Sequence, residues 1–314
     1  MTRLIPRWKC LSARGVAAAL LVALAARATP AAAQACCAGG ALVSPVRLAP
    51  PEDYAAGLQT RVRNDMGLFG ADGSYTSFAN TSSTEQDVEQ DLAISFRLAR
   101  RAQVSLVLPY VETHRLDQWG SGIGDVAVSA RYDFKLAAEM TTWPGFALLG
   151  GVVFPTGKAV GDGTSPAATD ATGTGTYDVT LGIDVEKVHG ALYGALNLWG
   201  TYSGSNSSHG VTTSYPLQLT VLAVAGYVFD NAAAAALYLN FLERGDTSTN
   251  GGTQPGPQPL SGLRLTTVGV TGLFPVADSW RLSGSIYTDV LLASFGRNEQ
   301  AGAGLTASLV RAWR

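Results

Sequence analysis

The sequence is poor in charge and in the residues that catalysis and metal binding commonly use. Its 314 residues include three histidines and three cysteines, and Asp, Glu, Lys and Arg make up only 15% of the chain, below the roughly 25% of an ordinary soluble domain. Beyond residue 35, no apolar stretch approaches the ~20 residues that a membrane-spanning helix requires. We therefore expect no enzyme, no metal or cofactor site, and no helical membrane anchor.

The first 35 residues have the composition of a secretion signal. Four basic residues precede an apolar run from Gly15 to Ala26, which is too short to span a bilayer and suits the core of a signal peptide. A membrane anchor is the alternative, but Arg27 interrupts the run. Ala33-Gln34-Ala35 matches the small-x-small pattern of a cleavage site. We expect export to the periplasm and removal of residues 1–35.

Removal of the signal changes both the charge and the cysteine content. It takes away five of the 22 basic residues and no acid, which leaves 17 basic against 24 acidic residues and a net charge of −7. No basic patch stands out, so nucleic acid is not expected as a partner. Cys36 and Cys37 are adjacent and do not make an ordinary loop-closing disulfide. Lipid modification of Cys36 is an alternative, although Ala33 occupies the position where leucine is usual.

An alternation of apolar and polar residues runs from about Leu58 to Arg314. In Tyr177–Glu186, Tyr, Val, Leu, Ile and Val alternate with Asp, Thr, Gly, Asp and Glu. Because successive side chains of a strand point to opposite faces, such a segment separates an apolar surface from a polar one. We predict twelve strands, at about 55–66, 86–99, 102–115, 123–135, 145–156, 176–187, 190–203, 214–229, 233–244, 262–275, 279–293 and 299–313.

The connections between these strands alternate in length. Those after odd-numbered strands are long and rich in Gly, Ser and Thr, whereas most of the others are very short, such as Arg100-Arg101. This alternation is typical of bacterial outer-membrane barrels, whose short turns are periplasmic. We expect the loop at 157–175 to cap the barrel; inward folding as a constriction is the alternative. The predicted organisation is a short periplasmic segment at 36–53 and a barrel domain at 54–314.

Aromatic residues on the apolar face indicate which face is outside. They fall near both ends of the strands, with Leu, Val, Ile, Ala and Gly between them, as membrane interfaces select. A soluble barrel would place aromatic residues near the middle of its core. The sequence therefore predicts an all-β, transmembrane, antiparallel up-and-down barrel of the outer-membrane type, with outer-membrane lipids around it and the barrel-assembly machinery as a partner during biogenesis.

The polar face then lines the lumen, because unpaired charges facing lipid would cost about 2–4 kcal/mol for each Arg or Lys near the midplane. Arg311 shares the lipid face with Leu309 and Trp313, and its place near the chain end allows it to reach the interface. The predicted lumen-lining residues are Arg61, Arg63, Asp91, Arg97, Asp125, Arg131, Asp133, Asp178, Asp184, Glu186, Tyr193, Trp199, Tyr238, Arg264, Arg281, Tyr287 and Asp289.

Three segments carry a resemblance to a known family: Gly122–Tyr132, Phe154–Lys158 and Thr174–Gly182. They resemble outer-membrane transporters linked to the meta-cleavage pathway of phenol degradation, over roughly residues 120–200. The matching Gly, Asp and Thr positions mark a barrel type and no catalytic site. The resemblance implies passage of small solutes, including aromatic or hydrophobic compounds, across the outer membrane.

We expect a passive channel or transporter without a chemical step. A closed structural or interaction barrel that acts through its external loops is the alternative, because twelve strands lie between filled eight-stranded barrels and open porins. A lipid hydrolase is a distant third. Of the three histidines only His114 is placed to act as a base, and spacing identifies no serine partner for it.

Overall fold

The structure is a computed structural model that describes residues 46–78, 85–115, 117–137, 142–208, 210–252 and 255–314. The expected signal peptide, the cysteine pair and His209 lie outside the described residues. Among those described, no helix is long and apolar enough to cross a bilayer.

Twelve strands form one closed antiparallel sheet. Each pairs with its neighbours in sequence, and the last also pairs with the first. The predicted all-β, twelve-stranded, up-and-down barrel is confirmed. The strands are β1 (Tyr54–Phe69), β2 (Glu85–Ala99), β3 (Ala102–Arg115), β4 (Val126–Lys135), β5 (Gly145–Phe154), β6 (Asp178–His189), β7 (Leu192–Ser203), β8 (Gln218–Val228), β9 (Ala234–Arg244), β10 (Leu263–Ala277), β11 (Trp280–Asp289) and β12 (Gln300–Trp313).

The two ends of the barrel differ as the connections predict. Short turns such as 100–101 and 190–191 lie at one end, which we call the turn side. The long connections lie at the other end, the loop side, and contain two short 3-10 helices, Val160–Asp162 and Pro166–Ala168. They also contain the short strands Tyr75–Ser77, Gln118–Ile123, Asn206–Ser208, Val211–Ser214, Ser248–Asn250 and Gly256–Pro257, of which the last four form a small separate sheet.

The outer face of the barrel is apolar. In the register, Leu282 stands beside Leu309, Leu309 beside Leu58, and Leu58 beside Leu92, and all four are exposed. Aromatic pairs lie at both ends, with Tyr132 against Phe134 on the turn side at 4.9 Å between ring centroids and Phe154 against Tyr177 on the loop side at 6.1 Å. A continuous apolar surface between aromatic rims is suited to lipid and not to water.

Most strand boundaries agree with the prediction to within two residues, and four differ by three or four residues. The first strand ends later, at Phe69, and the eighth begins later, at Gln218. The fourth strand was expected from residue 123, but residues 118–123 extend the pairing with β3, and β4 begins only at Val126. Between them, the Asp125 carboxylate accepts hydrogen bonds from backbone amides of the loop at 157–175, which takes this residue out of the ladder. The eleventh strand ends at Asp289, earlier than expected. Its buried carboxylate accepts bonds from the Thr267 hydroxyl and the Gly302 amide.

Candidate functional site

The N-terminal segment at residues 46–53 lies inside the turn side of the barrel. Val46 and Leu48 are buried against Ala55, Ala93 and Val310 on the inner faces of β1, β2 and β12. The sequence predicts a short periplasmic segment at 36–53, and the structure shows that residues 46–49 of it pack inside the barrel. The reason is that alternate residues of the segment are apolar and match a patch of small side chains on the wall.

Polar contacts from three strands fix this segment across the lumen. The Arg97 guanidinium of β2 donates to the Ala49 and Glu52 carbonyl oxygens, each at 2.6 Å. The side-chain oxygen of Gln103 on β3 accepts from the Leu48 amide at 3.2 Å. Arg281 on β11 pairs with the Glu52 carboxylate at 3.2 Å and donates to the Arg47 carbonyl oxygen at 3.3 Å. The segment therefore narrows the turn-side exit of the lumen.

Arg47 reaches the opposite wall and joins a buried ionic network there. Its Nη2 donates to Glu186 Oε2 at 2.9 Å, and its Nη1 contacts the other oxygen of the same carboxylate. Arg131 on β4 pairs with Asp133 at 2.8 Å, with Asp184, and with Glu186 at 3.7 Å. Because a buried charge without a partner is expensive, Arg47 and Glu186 stabilise each other, and this contact exists only while the segment is in place.

A cavity of about 870 Å³ occupies the loop side of the lumen. One wall of this loop-side cavity carries ion pairs on β1, β2 and β3. Arg61 pairs with Glu89, and Arg63 pairs with Asp65 at 2.8 Å and with Asp289 of β11 at 3.1 Å. A fourth pair joins Arg115 to Asp87 at 3.0 Å. The Arg61–Glu89 and Arg115–Asp87 pairs are partly exposed in the loop-side cavity, whereas the Asp65 and Asp289 carboxylates are buried.

The wall formed by β7–β11 carries most of the inward-facing aromatic and apolar side chains. Tyr193 and Leu222 are packed in one cluster, with Trp199 and Tyr238 against it. Trp199 and Tyr238 line the loop-side cavity, as does Tyr287. The loop-side cavity thus has a charged side and an aromatic side.

The inward-facing aromatic side chains stand opposite glycines. In the register, Tyr193 faces Gly226, Trp199 faces Gly182, and Tyr238 faces Gly269; Tyr287 stands between Gly269 and Gly304. A Cβ atom at Gly269 would come within 2.5 Å of the Tyr238 ring. The glycines therefore let the tyrosine rings lie along the wall, which keeps the lumen wider than it would be with the rings projecting across it.

The loop at 157–175 forms part of the mouth on the loop side. Asp125 holds it through the Gly157 amide at 2.9 Å, the Thr174 amide at 2.6 Å and the Thr174 hydroxyl at 3.0 Å. Residues 171–174 line the loop-side cavity, which fits both the expected cap over the barrel and the alternative of a constriction. Asp170 accepts hydrogen bonds from Lys158 and from the backbone amides of Thr164 and Ser165, and these bonds hold the pKa of the Asp170 carboxyl well below its usual range.

Sixteen of the seventeen predicted lumen residues lie on the inward face, and one does not. Arg264 stands opposite Glu243 in the register and contacts the ring of Phe241 at 6.0 Å, on the outward face near the loop-side rim. Residues 263–275 alternate polar and apolar side chains only weakly, which is why the sequence assigned the wrong face to Arg264. Of the others, Asp91 is buried beside β1, and Asp178 accepts a bond from the Thr176 hydroxyl at 2.8 Å near the loop-side rim.

Sequence reasoning missed other residues of the lumen. Asp87, Glu89 and Arg115 follow the same alternation as Asp91 and could have been assigned from it. Arg47 and Glu52 precede the first strand, in a segment too short to establish a period of two. Among the described residues, no group of three or more His, Cys, Asp or Glu side chains is arranged to hold a metal ion.

Comparisons with known proteins bear on the fold. No family model matches the chain, and no curated protein matches it. The structure is similar to that of the COG4313 outer membrane channel from Pseudomonas putida F1, with 16% identity over 86% of this chain and 98% of that chain and a TM-score of 0.68. It is also similar to the NanC porin, with 8% identity over 82% of this chain and 99% of that chain and a TM-score of 0.50. The chain therefore has the barrel fold found in outer-membrane channels and porins.

Proposed function

We propose that this protein is an outer-membrane channel for the passive passage of small solutes, and that it carries out no chemical step. The observation that carries the proposal is the loop-side cavity of about 870 Å³, enclosed by a closed barrel and lined by charged, hydroxyl and aromatic side chains. A lumen of this kind selects solutes by size and by charge. The proposal includes export by the signal at residues 1–35, insertion by the barrel-assembly machinery, and outer-membrane lipids as the surroundings.

Aromatic or hydrophobic compounds are the solute class that we propose. The resemblance to transporters linked to phenol degradation suggests this class, and the side of the loop-side cavity that carries Trp199, Leu222, Tyr238 and Tyr287 supports it. Aromatic faces bind flat apolar solutes by stacking and by burial of apolar area. In liposome swelling assays, we expect Trp199→Ala to slow the entry of small phenols more than the entry of sugars of similar size.

A closed barrel is the second candidate, and the N-terminal segment favours it. Residues 46–49 are buried inside the lumen, and Arg47 and Glu52 form ion pairs with the wall. If the segment seals the turn side, the loop-side cavity has no exit to the periplasm. Function would then reside in the external loops.

Single-channel recording in planar lipid bilayers distinguishes these candidates. We expect the mature wild-type protein to give steady openings whose conductance rises with salt, and Arg47→Ala to give larger openings because the segment loses its contact with Glu186. Arg297→Ala is the matched control, since Arg297 pairs with Asp246 in an external loop. A silent wild type with a conducting Arg47→Ala variant would support the closed barrel. Silence of both folded proteins would contradict the channel.

A further inference from the structure

A groove of about 610 Å³ runs over the outer face of the barrel where β12 meets β1. We call it the seam groove. Its floor is formed by the short side chains of Ala56, Thr60 and Ala307, and its sides include Leu58 and Leu309. Leu282 and Trp280 of β11 complete the sides. The depression exists because short side chains lie between long ones on a face that otherwise carries Leu, Val and Ile.

Arg311 closes the turn-side end of the seam groove. Its guanidinium lies 5.0 Å from the centroid of the Trp313 ring and 5.5 Å from that of Trp280. Both tryptophans are exposed on the outer face. Among the described residues, no carboxylate lies within ion-pair distance of Arg311, whereas Arg47, Arg61, Arg63, Arg131 and Arg281 in the lumen are each paired with one.

The depth of this arginine in the membrane follows from its neighbours. Trp280 and Trp313 belong to the turn-side aromatic rim, and Tyr54 and Phe96 continue that rim across the seam at 6.0 Å between ring centroids. Tryptophan and tyrosine lie at the level of lipid headgroups. A cation on the lipid-facing surface at this level is stable when it meets an anion, and the phosphate of a phospholipid is the anion available there.

We propose that the seam groove binds an anionic phospholipid of the periplasmic leaflet. Its phosphate would contact Arg311 between the two tryptophans, and an acyl chain would lie along the groove over Ala56 and Ala307. The charge of Arg311 favours a lipid with a net negative headgroup over a zwitterionic one. The apolar floor and the level of the tryptophans favour a lipid over a soluble anion. This site is independent of whether the lumen conducts.

Native mass spectrometry of the mature protein in nanodiscs tests the site. The probes are phosphatidylglycerol and phosphatidylcholine at equal concentration. We expect the wild type to retain more phosphatidylglycerol than phosphatidylcholine. In Arg311→Gln, the ratio of the two retained lipids should fall about fivefold, which is the contribution of one cation near an anionic membrane surface. Lys135→Gln is the matched control, because Lys135 is an exposed cation at the turn-side end of β4 and lies away from the seam groove.

A second variant tests the groove apart from the charge. Ala307→Leu fills the floor on a lipid-facing surface, so folding should be unaffected, which heat-modifiable migration on gels can verify for every variant. We expect it to lower retention of both lipids while the preference for phosphatidylglycerol remains. Wild-type retention in Ala307→Leu would refute the acyl-chain groove. Full preference in Arg311→Gln, or an equal loss in Lys135→Gln, would refute the phosphate contact.

Discussion

Arg61 and Glu89 are directly opposite each other on β1 and β2 and form an ion pair on the wall of the loop-side cavity. The Arg61 side chain is 44% exposed and that of Glu89 is 25% exposed. An ion pair this accessible contributes only about 0.2–1 kcal/mol to stability, so either member can be neutralised without loss of the fold. Each neutralisation removes one charge from this wall of the lumen and leaves the opposite charge of the pair in place.

The two neutral variants should therefore shift ion preference in opposite directions. We expect Glu89→Gln to favour anions, because Arg61 loses its partner, and Arg61→Gln to favour cations for the converse reason. The measurement is the reversal potential under a potassium chloride gradient across a planar bilayer. Shifts of the same sign, or none in two conducting variants, would show that this pair does not face the permeation path.

The position of the Tyr238 ring depends on the absence of a side chain at Gly269. A Cβ atom there would lie 2.5 Å from the Tyr238 ring, so Gly269→Ala must displace the tyrosine. We expect a loss of about 1–3 kcal/mol in the free energy of unfolding, as for other overpacked sites, and a smaller conductance because the ring moves into the lumen. Urea titration in lipid vesicles and bilayer recording measure the two effects.

Gly150 provides the control for that substitution. It lies on β5, and the nearest atom to an added Cβ is a Leu181 methyl carbon at 3.7 Å, an ordinary contact. Gly150→Ala should change the free energy of unfolding by no more than about 0.5 kcal/mol and leave the conductance unchanged. Equal effects of the two alanines would show that the tyrosine contact is not the cause.

At the scale of elements, the loop at 157–175 depends on the ionised form of Asp170. Its hydrogen bonds from Lys158 and from the amides of Thr164 and Ser165 depress the pKa of the carboxyl. A group with a depressed pKa stabilises the structure above its ordinary pKa and loses that contribution as the pH falls towards the depressed value. The loop should therefore be most ordered near neutral pH and loosen under strongly acidic conditions.

Hydrogen exchange at Thr164 and Ser165 can follow this loosening. In the wild type, we expect the protection of these two amides, corrected for intrinsic exchange, to decrease once the pH is below the ordinary pKa of a carboxyl. In Asp170→Asn, we expect low protection at every pH. Asp162→Asn is the control, since Asp162 is exposed in the same loop. If protection in Asp170→Asn matches the wild type, Asp170 does not order the loop.

At the scale of the whole molecule, the barrel presents its apolar side to the outside and its polar side to the inside. Leu58 is 52% exposed on the outer face, whereas the adjacent Gln59 lines the loop-side cavity. In a lipid bilayer, a water-soluble maleimide should therefore modify Gln59→Cys and spare Leu58→Cys, with both mature cysteines replaced by serine. Modification of Leu58→Cys alone would reverse the assignment of the two faces.

The barrel architecture could be predicted from sequence because it depends on the alternation of apolar and polar residues in twelve strands. An error in one strand does not change that prediction. The face on which a single side chain lies is less well determined by the sequence. Arg264 was assigned to the lumen because residues 263–275 alternate too weakly to fix the face, and the register reverses that assignment. The fold of residues 46–53 could not be predicted, since its contacts with Gln103, Glu186 and Arg281 join positions far apart in the chain.

The packing of the N-terminal segment inside the barrel also determines when during assembly the segment can reach its final position. Its buried residues pack against β1 and β2 on one side of the seam and against β12 on the other. The surface of the barrel wall against which Val46 and Leu48 pack is complete only after β12 has paired with β1. The segment precedes every barrel strand in the chain and is thus the last to find its place, so its packing inside the barrel shows that assembly has finished.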